Sequence, residues 1–220
     1  MLIQCCGHAK FVLETAEGFR IVIDPFDASV GYPVAPLKAD AVLVSHHHHD
    51  HDAVDTVQGW TVTVDTPGER TLAPGVKVTA LEAYHDGAQG AMRGKTLLFR
   101  IEADGLSAVH LGDLGHLPDA KLCEAIGQPD VLMIPVGGHF TIDAAQAAEV
   151  CRMLAPRVIL PMHYRTEVNR DWPIAPPEDF LRLMEPALGQ KAERLNMLRV
   201  TAEDLDCQPR LALLMPEKQA

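Results

Sequence analysis

The chain has 220 residues, 47% of them hydrophobic, which is enough to bury the core of one domain, so we expect a single domain over residues 1–220. Its formal charge of -11, without a run of Lys or Arg, argues against nucleic acid as a partner. No apolar run reaches the roughly 18 residues of a membrane span, and the basic start of a secretory signal is missing.

The cysteines indicate a reducing compartment. Their number is odd, and most of them lie inside apolar runs rather than in the loop-rich framework of a secreted mini-protein. We therefore expect reduced thiols and a cytoplasmic location. The five are Cys5, Cys6, Cys123, Cys151 and Cys207.

The first quarter of the chain predicts a β-meander, with short strands over residues 2–6, 11–14 and 20–23 that end at Asp24-Pro25. Four later apolar runs without strict alternation predict strands covered on both faces, and helices are expected to cover them. These runs lie at residues 41–44, 106–111, 131–134 and 158–160.

Helices are predicted to begin near Pro118, at Thr141 or Asp143, and near Pro177. The second carries small and apolar residues at helical spacing and should stop before Pro156. Since strands and helices alternate, the sequence predicts an α/β fold.

Each of the four apolar strands is followed by polar residues. His46 follows the first, Asp113 the second, His139 the third and His163 the fourth. Because ligand sites of open α/β sheets gather beyond the carboxyl ends of the strands, these residues are expected to share one cleft. The residues between Gly87 and Gly94 should border it.

Residues 45–52 concentrate imidazoles and carboxylates in one loop. His46 and His48, one residue apart, can point to the same side of an extended loop, whereas Asp50 and His51 can face a second point. Imidazole and carboxylate ligands suit zinc, manganese or iron, and the absence of cysteine argues against a closed structural zinc site. This loop predicts a metal site with an open position.

The H-x-H-x-D-H pattern at residues 46–51, after a hydrophobic strand, resembles the signature of the metallo-β-lactamase superfamily. Three further motifs match that superfamily in chain order: His85 in Ala-Tyr-His-Asp, Asp113 in Leu-Gly-Asp, and His163 in Pro-Met-His-Tyr. The segments around Gly7-His8, Asp24-Pro25 and 134–138 are similar to a branch of the superfamily that includes ascorbate-6-phosphate lactonase-like proteins.

This resemblance implies a four-layer αββα sandwich that binds two divalent metal ions, with zinc favoured over manganese or iron. It implies that a hydroxide held by both metals attacks a small ester, lactone or phosphodiester. The ligands it implies are His46, His48 and His85 for the first metal, Asp50, His51 and His163 for the second, and Asp113 as the bridge.

Three residues are candidate proton-transfer groups. Asp50 could accept the proton of the nucleophile, while His116 and His139 are candidates to protonate the leaving group, because histidine titrates near neutral pH. Both histidines could equally be loop residues that hold their own backbone. His47 and His49 occupy the variable positions of the motif and are expected to point away from the metals or to contact the ligands from outside.

Two other functions stay open at this point. The same fold can hold two iron ions for redox chemistry, although this chain has no appended flavin domain. A non-catalytic member would bind a metal without turnover, but the complete ligand set argues against that. The expected partner is a small-molecule substrate, and a homo-oligomer is compatible with the sequence.

Overall fold

A computed structural model describes residues 1–206 and 208–216, so Cys207 lies outside the described residues. The described residues form sixteen β-strands and three α-helices. The strands are β1 Leu2–Gly7, β2 Lys10–Glu14, β3 Arg20–Ile23, β4 Leu37–Lys38, β5 Ala41–Leu43, β6 Val57–Gln58, β7 Val62–Val64, β8 Gly68–Ala73, β9 Val76–Tyr84, β10 Lys95–Ala103, β11 Leu106–His110, β12 Val131–Pro135, β13 Val158–Met162, β14 Glu193–Leu195, β15 Met197–Arg199 and β16 Arg210–Leu214. The helices are α1 Ala120–Ile126, α2 Ala144–Leu154 and α3 Glu178–Leu188.

Two large sheets make up most of the molecule. One has six strands in the order β15-β1-β2-β3-β5-β7, and the other has eight in the order β14-β16-β13-β12-β11-β10-β9-β8. The predicted meander is the antiparallel run β1-β2-β3, whereas β11, β12 and β13 are parallel neighbours. The predicted α/β class is thus confirmed.

The parallel strands contribute side chains to two separate cores. Val109, Leu132 and Ile159 are register partners across β11, β12 and β13, and they pack with the helices. Their neighbours Ala108 and Val131 belong instead to the core between the two sheets. This arrangement explains why these runs lack a polar face in the sequence, since successive residues point to opposite faces.

All three α-helices contribute to the core on the outer face of the eight-stranded sheet. Asp143 caps α2, because its side chain accepts a hydrogen bond from the Gln146 backbone N–H and the Gln146 side chain binds back to the Asp143 N–H. Such a capping box stabilises a helix by about 1 kcal/mol. Of the two predicted starts for this helix, the structure therefore selects Asp143.

The outer face of the six-stranded sheet is covered differently from the prediction. Val22 and Val42 pack there against Val57 and the partly buried Trp60, in a cluster that includes β6. Among the described residues no α-helix joins this cluster. The segment between β5 and β7 is short and holds the histidine loop, so a 3-10 turn at Val54–Thr56 and the small β4–β6 sheet provide the cover instead.

Strands β8 and β9 were not predicted. Strand β9 pairs in antiparallel fashion with β8 and with β10. A signal for it was present, because Val76, Val78 and Ala80 alternate with polar residues and face the core between the sheets. Alternation of this kind is typical of an antiparallel strand.

Two buried cysteines have the properties of unreactive thiols. Burial raises the pKa of Cys5 to about 12 and the pKa of Cys151 to about 12. A thiol with such a pKa holds almost no nucleophilic thiolate at neutral pH. Separately, no helix within the described ranges is both long and apolar enough to cross a membrane.

Candidate metal centre

Polar side chains from both sheets meet at one edge of the sandwich. The six-stranded sheet contributes residues that follow β1, β3 and β5, and the eight-stranded sheet contributes residues that follow β9, β11 and β13. The structure brings all seven sequence-predicted ligand residues together here. They are His46, His48, Asp50, His51, His85, Asp113 and His163.

Asp113 lies at the centre of the cluster. Its Oδ2 atom is 3.2 Å from His163 Nε2, 3.4 Å from His85 Nε2 and 3.9 Å from His46 Nε2. Its Oδ1 atom is 3.5 Å from His51 Nε2. One carboxylate therefore faces four imidazole nitrogens, as expected for a group placed between two positive centres.

The remaining atoms form two groups on either side of Asp113. In the first, donor atoms of His46, His48 and His85 all lie within 4.8 Å of one another. In the second, the same holds for donor atoms of Asp50, His51 and His163, together with His8. We refer to these below as the first triad (His46, His48, His85) and the second triad (Asp50, His51, His163).

The chemistry of this cluster fits cations. Four buried atoms at its centre have no hydrogen-bond partner: the Nε2 atoms of His46, His51 and His163, and Oδ1 of Asp113. A buried polar atom without a partner costs about 1–3 kcal/mol, so such atoms are rarely left in a core unless they have another function. Imidazole nitrogen and carboxylate oxygen are suitable ligands for zinc, manganese and iron.

Asp24 determines which ring nitrogen His51 and His46 present to the cluster. Its Oδ2 accepts hydrogen bonds from His51 Nδ1 at 2.9 Å and from Ser45 Oγ at 2.7 Å. Because the Ser45 hydroxyl donates to Asp24, it is free to accept from His46 Nδ1 at 2.9 Å. In their neutral forms both imidazoles then carry their proton on Nδ1, so Nε2, which faces Asp113, is the nitrogen that can bind a cation.

Burial and neighbouring charges keep the cluster in a metal-binding state. Burial, with the charge of His51 adding to it, lowers the pKa of His46 to about 3, so His46 is neutral at pH 7. Although burial opposes its ionisation, the charges of His163 and His51 hold the pKa of Asp113 well below its usual value. Neutral imidazole and ionised carboxylate are the forms that bind cations.

The pKa of His51 is shifted in the opposite direction from that of His46. Burial lowers its pKa, but the carboxylates of Asp113 and Asp24 outweigh burial and raise the pKa of His51 well above 6.5. In the metal-free chain His51 therefore carries a proton that balances part of the negative charge. A cation that binds at Nε2 has to displace this proton.

Three residues at the site have a left-handed backbone conformation, which is uncommon for residues other than glycine. The φ angles are 52° at His8, 48° at Asp24 and 52° at His163. Each residue directly follows a strand, so the turn moves its side chain out of the sheet and into the cluster. Backbone strain of this kind costs about 1–3 kcal/mol per residue and is concentrated at functional sites.

His8 lies beside the second triad. Its Nε2 lies 3.1 Å from Asp50 Oδ2, and its ring centroid is 4.1 Å from that of His163. The backbone carbonyl of His8 also accepts a hydrogen bond from the His163 N–H at 3.0 Å. His8 thus contacts two members of the second triad.

A cavity of about 460 Å³ opens above the cluster. Members of both triads line it, together with Arg93, from the segment 87–94 that was expected to border the cleft, and with aromatic side chains that the sequence did not indicate. Their signal was weak, because two aromatic residues in loops have no motif spacing. The lining comprises His48, His49, Asp50, His85, Arg93, Asp113, Phe140, His163, Asp171, Trp172 and Pro173.

The two candidate acids from the sequence do not line this cavity. His116 Nε2 accepts a hydrogen bond from the Tyr84 N–H at 3.2 Å, and His116 Nδ1 donates to the Leu117 carbonyl at 2.9 Å. His139 is exposed and packs against the Phe140 ring. The geometry brings only Asp50, of the three proton-transfer candidates, to the cavity.

The other histidines of the loop are exposed. His47 Nδ1 lies 3.5 Å from Asp52, and His49 Nδ1 lies 3.6 Å from Asp50 Oδ1. His49 also lines the cavity, so it lies closer to the site than the motif indicated.

Comparisons with known proteins agree with this arrangement. The family model described as the β-lactamase superfamily domain matches residues 2–163. A UPF0173 metal-dependent hydrolase from Thermococcus onnurineus is 33% identical over 222 aligned residues, which cover 87% of this chain and 93% of the relative.

Solved structures extend the comparison to nearly the whole chain. A Thermotoga maritima structure described as a Zn-dependent hydrolase of the metallo-β-lactamase superfamily is 37% identical, with a TM-score of 0.79 and 97% of both chains covered. The metallo hydrolase Igni18 of Ignicoccus hospitalis is 24% identical, with a TM-score of 0.69, and covers 91% of this chain and 99% of its own, which shows a shared fold. The chain therefore belongs to the β-lactamase superfamily and, within it, to the UPF0173 metal-dependent hydrolases.

Proposed function

We propose that this metal-dependent hydrolase binds two divalent cations, preferably zinc, and cleaves a small ester, lactone or phosphodiester. One observation carries the proposal: the Oδ1 atom of Asp113 and three of the histidine Nε2 atoms that face this carboxylate are buried and have no hydrogen-bond partner. In this proposal the first triad holds one cation, the second triad holds the other, and Asp113 contacts both. When bound, such a pair lowers the pKa of a water toward neutrality and polarises the substrate oxygen.

Asp50 is the proton acceptor in this proposal. Although burial opposes its ionisation, the neighbouring His51 and the hydrogen bond from His8 hold the pKa of Asp50 far below its usual value, so it is a carboxylate at neutral pH. It lines the cavity, where it can take the proton that the attacking water gives up. His8, bound to Oδ2, holds the carboxylate in place.

The size and charge of the site support a small substrate. A cavity of about 460 Å³ lies within the range of roughly 300–1,000 Å³ that is typical of small-molecule sites. The formal charge of -11 gives a nucleic-acid polymer no general attraction to the surface. The narrower likeness to ascorbate-6-phosphate lactonase-like proteins stays a prediction.

Metal analysis of the protein as purified, followed by an activity screen with that metal restored, tests the proposal. We expect two zinc ions per chain and turnover of at least one ester, lactone or phosphodiester. The Asp113→Ala variant should lose both metal and turnover. Two iron ions with oxygen consumption would favour the redox alternative, and bound metal without any turnover would favour the non-catalytic one.

A further inference from the structure

The cavity wall contains an arginine that has no structural partner of opposite charge. Arg93 is the one Lys or Arg among the described residues that line the cavity. Its guanidinium carbon lies 5.4 Å from the centroid of the Phe140 ring, and no described carboxylate forms an ion pair with it. A half-buried guanidinium that faces a cavity in this way is available to a ligand.

The loop that carries Arg93 is built around one buried carboxylate. Asp86 Oδ1 accepts from the backbone N–H groups of Ala88 at 2.7 Å and Gly90 at 2.9 Å. Asp86 Oδ2 accepts from the N–H groups of Met92 at 2.9 Å and Arg93 at 2.8 Å. Because Asp86 directly follows the candidate ligand His85, the position of Arg93 is fixed relative to the metal cluster.

The surface beside Arg93 is aromatic. The Phe140 and Trp172 ring centroids are 6.4 Å apart in an edge-to-face arrangement, and Trp172 lies 5.1 Å from the His8 ring. Asp171 is an acidic group on the same wall, and it is exposed. The wall therefore offers an apolar contact surface with one positively charged side chain, that of Arg93.

We propose that Arg93 binds an anionic group of the substrate, a carboxylate or a phosphate, while the reacting carbonyl or phosphoryl group lies over the triads. This inference rests on the proposed function. Two dications would bring more positive charge than Asp50 and Asp113 bring negative charge, so the loaded cavity attracts anions. Arginine suits this task, since its planar fork donates two parallel hydrogen bonds to a carboxylate or phosphate.

Three matched substrates test the proposal. We would compare 4-nitrophenyl hexanoate, which is neutral, with the mono-4-nitrophenyl ester of adipic acid and with 4-nitrophenyl 6-(phosphonooxy)hexanoate. The acyl chains match except for the terminal group, so their kcat/KM ratios measure recognition of that group. The anionic ester with the higher kcat/KM shows whether Arg93 prefers a carboxylate or a phosphate.

Side-chain substitutions at Arg93 keep the backbone N–H that Asp86 holds. We expect Arg93→Gln to lower kcat/KM for the preferred anionic ester by about 10- to 100-fold, since a hydrogen bond to a charged group is lost. The neutral ester should change by less than about 2-fold, and Arg93→Lys should retain part of the preference. Arg152→Gln, which removes an exposed arginine on α2, is the matched control.

Equal losses on the neutral and anionic esters, or no preference in the unmodified protein, would overturn the inference. A binding measurement without turnover tests the Arg93 inference separately from the proposed function. For this, the binding of adipic acid monoamide and of hexanamide to the zinc-loaded protein is measured by calorimetry. If the acidic amide binds more weakly to Arg93→Gln than to the unmodified protein, but no ester, lactone or phosphodiester is cleaved, the inference stands and the proposed function fails. If Arg93→Gln binds both amides unchanged while esters are cleaved, the inference alone fails.

Discussion

The two triads differ in how the protein holds them. In the second triad His51 and His163 are fully buried and Asp50 is nearly so, and both Asp24 and His8 bind its members. In the first triad His48 is exposed and Ser45 binds His46, and the Nδ1 atoms of His85 in this triad and of His163 in the second have no partner. The second triad is therefore the more buried and better supported half of the centre, and the first is the more exposed half, although members of both line the cavity.

This difference indicates unequal metal binding. Ligands that are oriented by their own hydrogen bonds lose less freedom when a cation binds, and supporting partners of this kind typically contribute 10- to 100-fold in affinity. We expect the cation at the second triad to bind more tightly and to exchange more slowly than the cation at the first.

The largest expected effect comes from Asp113, which both triads share. The Asp113→Ala variant should retain well below one metal ion per chain and lose on the order of 1,000-fold in turnover, because it removes the proposed ligand of both cations. Metal analysis and kinetics on the purified variant check this. Asp119→Ala, which removes only the N-cap of α1, should keep its metal; loss of metal there as well would indicate general unfolding.

The next effect compares the triads directly. His51→Ala should lose the second-triad cation and reduce the affinity of the first, since His51 also faces Asp113. His48→Ala should lose only the first-triad cation and leave about one ion per chain, because its side chain is exposed and its ring packs against His46 and His85 of the same triad. Titration with zinc against a colorimetric chelator measures both. Equal zinc affinity of the cation that remains in the two variants would contradict the unequal binding proposed above.

A smaller effect is expected at Asp24. The Asp24→Asn variant keeps the shape of the side chain but weakens the hydrogen bonds to His51 and Ser45. Zinc affinity should fall about 10- to 100-fold, more at the second triad than at the first. Asp27→Asn, at the cap of an exposed 3-10 turn, is a matched control that should bind zinc normally. An unchanged affinity in Asp24→Asn would show that the tautomers are set by other groups.

The smallest effect concerns Asp86, outside the triads. Burial raises the pKa of Asp86, but four backbone N–H groups outweigh it and lower this pKa from 3.8 to about 2. A lowered folded-state pKa adds stability that is full above pH 3.8 and is lost as the pH falls through about 2. The stability gap between the unmodified protein and Asp86→Asn should therefore narrow from pH 5 to pH 2, as measured by urea unfolding with a chelator present. A gap that does not change with pH would contradict this.

The sequence predicted the cluster better than its surroundings. The ligand positions could be inferred because metal chemistry needs particular residue types, and strand ends show where those residues can meet. Residues 87–94 were expected to border the cleft, and Arg93 does, but its meeting with Trp172 on one wall could not be inferred. No spacing rule links a loop arginine to an aromatic residue about 80 positions away; only tertiary packing brings them to one cavity. The prediction of His116 as an acid relied on its position three residues after Asp113. That position does not show that both ring nitrogens of His116 are hydrogen-bonded to backbone groups.

The centre takes its side chains from both sheets. His46, Asp50 and His51 follow a strand of the six-stranded sheet, whereas His85, Asp113 and His163 follow strands of the eight-stranded sheet. A cation bound by both sets would act as a cross-link between the two halves of the sandwich, in addition to any role in catalysis. A ligand at a concentration of 100 times its Kd stabilises the folded state by about 2.7 kcal/mol. The metal supply would therefore control the fraction of this protein that is folded as well as its rate of turnover.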